Sequence, residues 1–283
     1  MIIDHLKLKS FAQTIFERLG TEPDKALETA AHLVEANLKG HDSHGVGMIP
    51  NYVGSALRGG LKVNENASVL KDHGAVLLTD GGFGLGQVVG RQATDLGIEK
   101  AKQLGLACVG ARNNYHLGRI GTYAEHCVAA GMVSIHFVNV VGHPPFVSLW
   151  GSREKRLQTN PFCCGVPTEK APLILDMATS AIALGKVRVA NMKGEPVPEG
   201  ALFDAAGRPT QDANAIAEGG SLGPFGGHKG SGLALMCELL GGALAGEWTM
   251  QDLDKQQEMT VNHMLMLILD PDVFGGAAGF ARE

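Results

Sequence analysis

Short apolar runs alternate with longer amphipathic stretches from residue 75 to residue 180, and this alternation limits the chain to an α/β architecture. Segments 75–79, 106–111 and 132–140 read as strands, with helices expected over about 87–104 and 119–130 between them. Leu173 to Ser180 reads as a buried strand running into a helix. Two amphipathic helices, 6–19 and 23–39, precede this core, and a short one is expected to begin at Met48. The chain is expected to be irregular from 146 to about 172, and to form a long connection rich in Gly, Pro and polar residues over 191–227. A helix of small apolar residues is expected over 233–246.

The composition excludes several functions. A net charge of -5 argues against a nucleic-acid or anionic-membrane surface, which needs clustered Lys and Arg. No apolar run reaches the length of a membrane span, and the start Met1-Ile2-Ile3-Asp4-His5 lacks the features of a signal peptide. The five cysteines have no zinc-type spacing, which points to a reducing, cytoplasmic setting. The 39 glycines fall in clusters, as expected of tight turns and close backbone approaches at a ligand site.

Chemistry concentrates in a few places. His41-Asp42-Ser43-His44-Gly45 gathers two imidazoles, a carboxylate and a hydroxyl, groups suited to moving protons near neutral pH, although such a cluster also suits a helix terminus. His41 and His44 lie three apart without an intervening Glu, so a zincin metal site is not expected, and Ser43 is not in a G-x-S-x-G elbow. The glycine run 81–86 follows a strand but fails as a dinucleotide fingerprint, because the third glycine position falls on Gln87 or Val89. His116 stands just past a strand, where α/β proteins collect ligands, or else bonds backbone as a loop histidine. Asp176 is either a paired or ligand-binding carboxylate, or the cap of a helix starting at Ala178-Thr179. Gly226-Gly227-His228-Lys229-Gly230 opens a helix with free N–H groups beside a lysine, which suits a phosphate or carboxylate, but it lacks the P-loop order.

Segments 41–45, 113–118, 175–180 and 228–233, with 201–210 between the last two, together resemble the malate/L-lactate dehydrogenase family over nearly the whole chain. The resemblance implies an α/β, non-Rossmann NAD(P)-binding fold with a mixed-sheet core and N-terminal helices. It implies an NAD(P)-dependent oxidoreductase that interconverts 2-keto and 2-hydroxy acids as a homodimer. His44 is implied as proton donor, Ser43 and Asp176 as orienting or relaying groups, and His116 as a second acid/base group. The cofactor, NAD or NADP, is implied to lie against Leu117-Gly118-Arg119, Asn139, Thr159-Asn160-Pro161, Asp176-Met177-Ala178-Thr179 and His228-Lys229-Gly230. The expected division is an N-terminal helical segment (1–72) carrying the catalytic histidine, an NAD(P)-binding core (73–250) and the start of a C-terminal segment (251–283). The same framework serves cyclic-imine, ureidoglycolate and diketogulonate enzymes.

Two departures from the family pattern stand out. Many relatives carry an arginine four residues after the catalytic histidine, where this chain has Met48, leaving Arg119 and Arg188 as candidates to hold a substrate carboxylate. Relatives also usually continue well past Phe274, whereas this sequence stops at Glu283, so a shortened copy acting only as a binding protein is the alternative expectation.

Overall fold

The structure is a computed structural model and describes residues 2–252 and 259–282. It opens with α1 (His5–Arg18), N-capped by Asp4, whose carboxylate accepts the Lys7 N–H, and α2 (Pro23–Leu38), which starts on a proline already set for a first helical turn. Two single-turn 3-10 helices, Asp42–His44 and Val46–Met48, lead into α3 (Ile49–Leu57). Next come β1 (Ser68–His73), β2 (Val76–Asp80), α4 (Gly86–Leu104), β3 (Leu106–Tyr115), α5 (Gly121–Ala129) and β4 (Val133–Val141). Up to this point the helices and strands expected from the apolar spacing are present, and β3 runs on to Tyr115, which puts His116 directly at its carboxyl end.

Beyond Val141 the structure departs from expectation. The stretch taken as irregular contains β5 (Val147–Ser148), β6 (Lys155–Leu157) and β7 (Phe162–Val166). β8 (Leu173–Met177) is no buried strand: it lies at the sheet edge, with Leu173 65% and Leu175 48% exposed. No helix follows it at Ala178; α6 (Leu184–Lys193) starts later. The expected long connection carries β9 (Leu202–Phe203), β10 (Pro209–Thr210) and β11 (Ser221–Leu222). The small-residue helix divides into α7 (His228–Cys237) and a π-helical run, Glu238–Gly246, and β12 (Val261–Leu269) and α8 (Ala277–Arg282) complete the described chain.

The large sheet has the order β1-β2-β3-β12-β4-β7-β8, and only β2 and β3 run parallel, joined through α4. The smaller sheet has the order β10-β9-β11-β5-β6. Three apolar clusters match this plan. One sits between α4, α5 and the large sheet, around Tyr123, Met264 and Ile268. A second joins α1, α2 and α3 to the start of α4, around Phe16, Leu33, Tyr52 and Tyr115. The third lies under the small sheet and α6, around Val187, Leu202 and Leu222. No helix among the described residues is long and apolar enough to cross a membrane.

Candidate active site

The 41–45 cluster is one tight turn, pinned from α2. Asn37 donates through Nδ2 to Asp42 Oδ1 (2.5 Å) and accepts the Val46 N–H on its Oδ1 (2.9 Å). Gly45 is required here, because a Cβ would lie 2.2 Å from Asn37 Oδ1. The turn presents His44 to the carboxyl end of β3, where His44 Nδ1 and His116 Nε2 share a hydrogen bond of 3.1 Å and the two rings stack 15° from parallel.

Behind His116 the network continues inward. Tyr52 Oη, on α3, lies 2.8 Å from His116 Nδ1 and 3.3 Å from the His116 carbonyl oxygen. Gln87 Nε2 donates to Tyr52 Oη (2.6 Å) and to the same carbonyl (3.2 Å), and this second contact fixes the amide orientation, since two facing oxygens would repel. The Tyr52 proton therefore has two alternative acceptors, His116 Nδ1 and His116 O. With the Tyr52 hydroxyl donating to Nδ1, His116 is the Nε2–H tautomer, donates to His44 Nδ1, and leaves the proton of a neutral His44 on Nε2. With the hydroxyl turned to the carbonyl, His116 carries its proton on Nδ1 and its Nε2 accepts from His44 Nδ1–H, which leaves His44 Nε2 bare in the neutral pair and protonated in the charged one. One rotating hydroxyl thus accommodates both the neutral and the singly charged histidine pair.

The failed fingerprint at 81–86 finds its explanation here. A Cβ on Gly86 would lie 2.3 Å from the carbonyl oxygens of both Tyr115 and His116, so only glycine lets α4 start against the end of β3 and bring Gln87 to His116. Burial is the largest influence on each histidine. It lowers His44 to about 4, aided by His41, and lowers His116 well below the ordinary value, aided by His44 and His32. His32 on α2 is lowered to about 3 by burial, then by His44 and Arg119, and its Nε2 accepts the Arg119 N–H (3.1 Å).

The other expected site residues divide into groups. Asp176, on β8, does not cap a following helix. Its Oδ2 accepts the Gly121 N–H at the start of α5 (2.7 Å) and faces Arg119 Nε at 3.9 Å, while burial raises its carboxyl. Arg119 is buried and also binds Glu125 through Nη2 (2.8 Å), and Glu125 in turn pairs with Lys39. Ser43 packs against α6, where a Cβ on Gly185 would lie 2.9 Å from Ser43 Cβ. Leu117 buries its side chain and donates its N–H to Asn262 Oδ1 (2.9 Å), and Gly118, at φ +76°, has His32 Nε2 where a Cβ would go. Met177 and Ala178 are half-buried beyond Asp176.

Asn139 is fully buried and bound to Trp248 O and the His263 N–H. Asn160 is also fully buried, bound to the Val140 N–H, Ala234 O and Glu238 Oε2, and the Pro161 carbonyl accepts the Val138 N–H. Thr179 stitches three segments together: its N–H and Oγ1 donate to Thr159 O (2.9 Å each), Oγ1 also reaches Asn160 O, and its carbonyl accepts the Phe225 N–H (3.0 Å). That holds the 159–160 loop beside the 226–230 turn, where His228 and Lys229 are exposed and Gly230 is buried. The turn has two positive-φ glycines and opens α7, so its first-turn N–H groups and Lys229 fit the phosphates of a dinucleotide.

Tyr52, Gln87 and His32 were not among the expected site residues. Tyr52 lies eight residues after His44 in a helix expected from its apolar spacing, and Gln87 is a polar residue at the start of an otherwise apolar helix face, but neither pattern names a partner.

A family model described as malate/L-lactate dehydrogenase matches residues 3–283. Hydroxycarboxylate dehydrogenase B of Escherichia coli strain K12 is 49% identical over 277 residues, covering 96% of this chain and 76% of the relative. Sulfolactate dehydrogenase from Methanocaldococcus jannaschii superposes with a TM-score of 0.89 at 34% identity, covering 99% of this chain and 81% of that one. Delta1-piperideine-2-carboxylate reductase from Pseudomonas syringae superposes with a TM-score of 0.90 at 33% identity, covering 100% and 85%.

Proposed function

The chain belongs to the malate/L-lactate dehydrogenase family, and from that premise we propose that it interconverts 2-keto acids and 2-hydroxy acids, with NAD or NADP as redox partner and His44 as proton donor. The observation that carries this reading is the directional chain Gln87–Tyr52–His116–His44, which ends on a histidine nitrogen able to give or take one proton. When bound, the nicotinamide supplies the hydride. In reduction the Nε2–H of the charged His44 protonates the developing alkoxide, and in oxidation the bare Nε2 of the neutral pair accepts the hydroxyl proton; such a group is worth about 10²–10⁴ in rate. Tyr52, with its hydroxyl turned to the His116 carbonyl, holds the Nδ1–H tautomer of His116, in which His44 Nε2 is the nitrogen that gains or loses the proton. Ser43 bounds the substrate space against α6. Asp176 and Arg119 act at one remove, holding the start of α5 and the 117–119 turn that carry His116. Lys229 and the turn at 226–230 take the cofactor phosphates, with Thr179 fixing the distance to the 159–160 loop.

The substrate carboxylate goes to Arg188 in this proposal. Arg119 is already engaged with Glu125 and Asp176, and Met48 carries no charge. Arg188 is exposed and one turn beyond Gly185, so it lies on the face of α6 that meets Ser43.

The test is consumption of NADH or NADPH by the purified protein with a panel of 2-keto acids and one cyclic imino acid. Turnover of keto acids, abolished by His44→Ala with dinucleotide affinity kept, supports the reading. No turnover of any keto acid by folded protein overturns it, and turnover of the imine alone moves the substrate class to imines. Arg188→Ala is expected to raise KM for keto acids with kcat little changed.

A further inference from the structure

Outside the histidine site, the most constructed feature of the surface is a cavity of about 350 Å³ at the edge of the small sheet, lined by Trp150, Ala181, Glu199, Phe203, Pro224 and Gly227 among others. That volume is within the range of small-molecule sites. Trp150 is 64% exposed, yet it is held in place. Its backbone N–H donates to Ser231 Oγ on α7 (2.6 Å), its ring meets the His228 ring at 6.4 Å, and its six-membered ring lies 3.0 Å from where a Cβ on Gly227 would be. A large aromatic face held at the edge of a cavity offers a surface on which a flat ring can stack.

The cavity is tied to both ends of the proposed cofactor path. Gly226 and Gly227 belong to the turn that opens α7. Ala181 donates its N–H to Gly223 O (2.8 Å), and Ser180 bridges to Pro224, which joins the floor of the cavity to the 175–180 segment. Ala181 is four residues from Gly185, so at most ~14 Å separates it from the residue that packs on Ser43. An extended dinucleotide bridges such a distance. Glu199 is the one charged residue among those lining the cavity.

We propose that this cavity is the nucleobase pocket of the bound dinucleotide, with the adenine ring stacked on Trp150 and Glu199 selecting against a 2′-phosphate on the adjoining ribose. This rests on the oxidoreductase reading above and deepens it, since it assigns the cofactor's second half and a preference for NAD over NADP. The only other tryptophan, Trp248, is buried, so a change in the exposed indole emission reports Trp150.

The experiment titrates the full chain with NADH, adenosine 5′-monophosphate, adenosine 2′,5′-bisphosphate and nicotinamide mononucleotide, reading Kd by calorimetry and by indole fluorescence. The monophosphate is expected to bind and quench, the mononucleotide to bind without quenching, and the bisphosphate to bind more weakly than the monophosphate. Trp150→Ala should weaken NADH and the monophosphate roughly 5- to 150-fold, with Trp150→Phe largely restoring both. Glu199→Gln should improve the bisphosphate relative to the monophosphate by roughly two- to fivefold. NADH affinity unchanged in Trp150→Ala overturns the pocket assignment and leaves the oxidoreductase reading intact. A bisphosphate preference unchanged in Glu199→Gln overturns the selectivity half. Absence of any dinucleotide binding by the folded wild-type protein overturns both readings.

Discussion

Replacing Tyr52 by Phe tests the proton relay at its pivot. The ring keeps its surroundings, because its edge contacts with Phe16 (5.9 Å between centroids) and Tyr115 (4.9 Å) do not involve the hydroxyl. Only the Oη contacts go: to His116 Nδ1, to His116 O and from Gln87 Nε2. Gln87 Nε2 keeps the His116 carbonyl, so the main loss is the partner of a buried imidazole nitrogen, a cost of about 1–3 kcal/mol. For a chain of this size that lowers Tm by roughly 2–12 °C. The effect on catalysis is separate. Without the hydroxyl nothing sets the His116 tautomer, and kcat should fall by about 10- to 100-fold, part of what general acid–base catalysis contributes. KM should change little, since Tyr52 is buried behind the histidines. Thermal unfolding and steady-state kinetics on the same preparation separate the two effects. A variant that loses the expected stability but keeps kcat within about twofold of wild type would refute the relay, since the hydroxyl would then serve packing alone.

Three further outcomes follow from the same geometry. His32 and His136 are buried, with pKa values lowered to about 3, so below about pH 6.5 the unfolded chain binds protons that the folded chain does not; stability should fall with decreasing pH by up to ~1.4 kcal/mol per unit for each, and a denaturation midpoint that stays flat between about pH 7 and pH 5 contradicts this. Gly86→Ala puts a methyl against the Tyr115 and His116 carbonyls, which are backbone atoms that cannot swing away, and should cost several-fold or more in kcat together with Tm; wild-type kinetics in this variant would mean that the close approach of α4 to β3 has no role in the site. The value of kcat/KM for hydroxy-acid oxidation should hold from about pH 8 to about pH 5 and decline towards about pH 4, because the free enzyme's His44 is already neutral above that value; a decline centred near the ordinary imidazole value would remove His44 as the base.

The sequence made the first half of the fold legible because there each element carries its own signal. Helical spacing marks α1 and α2, apolar runs mark β2 to β4, and Pro23 marks a start. It failed where identity depends on a distant partner. β5, β6, β9, β10 and β11 are only two or three residues long and exist through pairing with one another. β12, Val261–Leu269, carries the apolar run Met264–Leu269, to which no expectation assigned a strand, yet it forms the middle of the large sheet between β3 and β4. Its position cannot be read locally, since an apolar run shows burial and not which neighbours bury it. The site divides in the same way. His44 and His116 were visible as unusual residues at suggestive positions, whereas Tyr52 and Gln87 look like ordinary helix residues until α3 and α4 converge on the end of β3.

Burial creates a problem that the substrate itself can solve. With His44 lowered to about 4 and His116 lowered as well, the pair is almost wholly neutral at neutral pH, which suits the oxidation direction but leaves no acid for reduction. A 2-keto acid brings a carboxylate into the same space. At ~5 Å and an effective dielectric of about 20, one negative charge favours protonation of His44 by ~3 kcal/mol, or about two pKa units. Substrate binding would thus raise His44 and draw a proton onto the pair, which the Tyr52 hydroxyl accommodates by donating to the His116 carbonyl. Had an arginine stood at Met48, its positive charge would cancel much of that gain at short range. Holding the carboxylate from Arg188 on α6 keeps the cation on the far side of the substrate, where it binds the anion and discharges the acid less. On this argument Met48→Arg should tighten keto-acid binding and lower the pKa governing kcat for reduction, and an unchanged pH profile in that variant would show that the acid is not charged by its substrate.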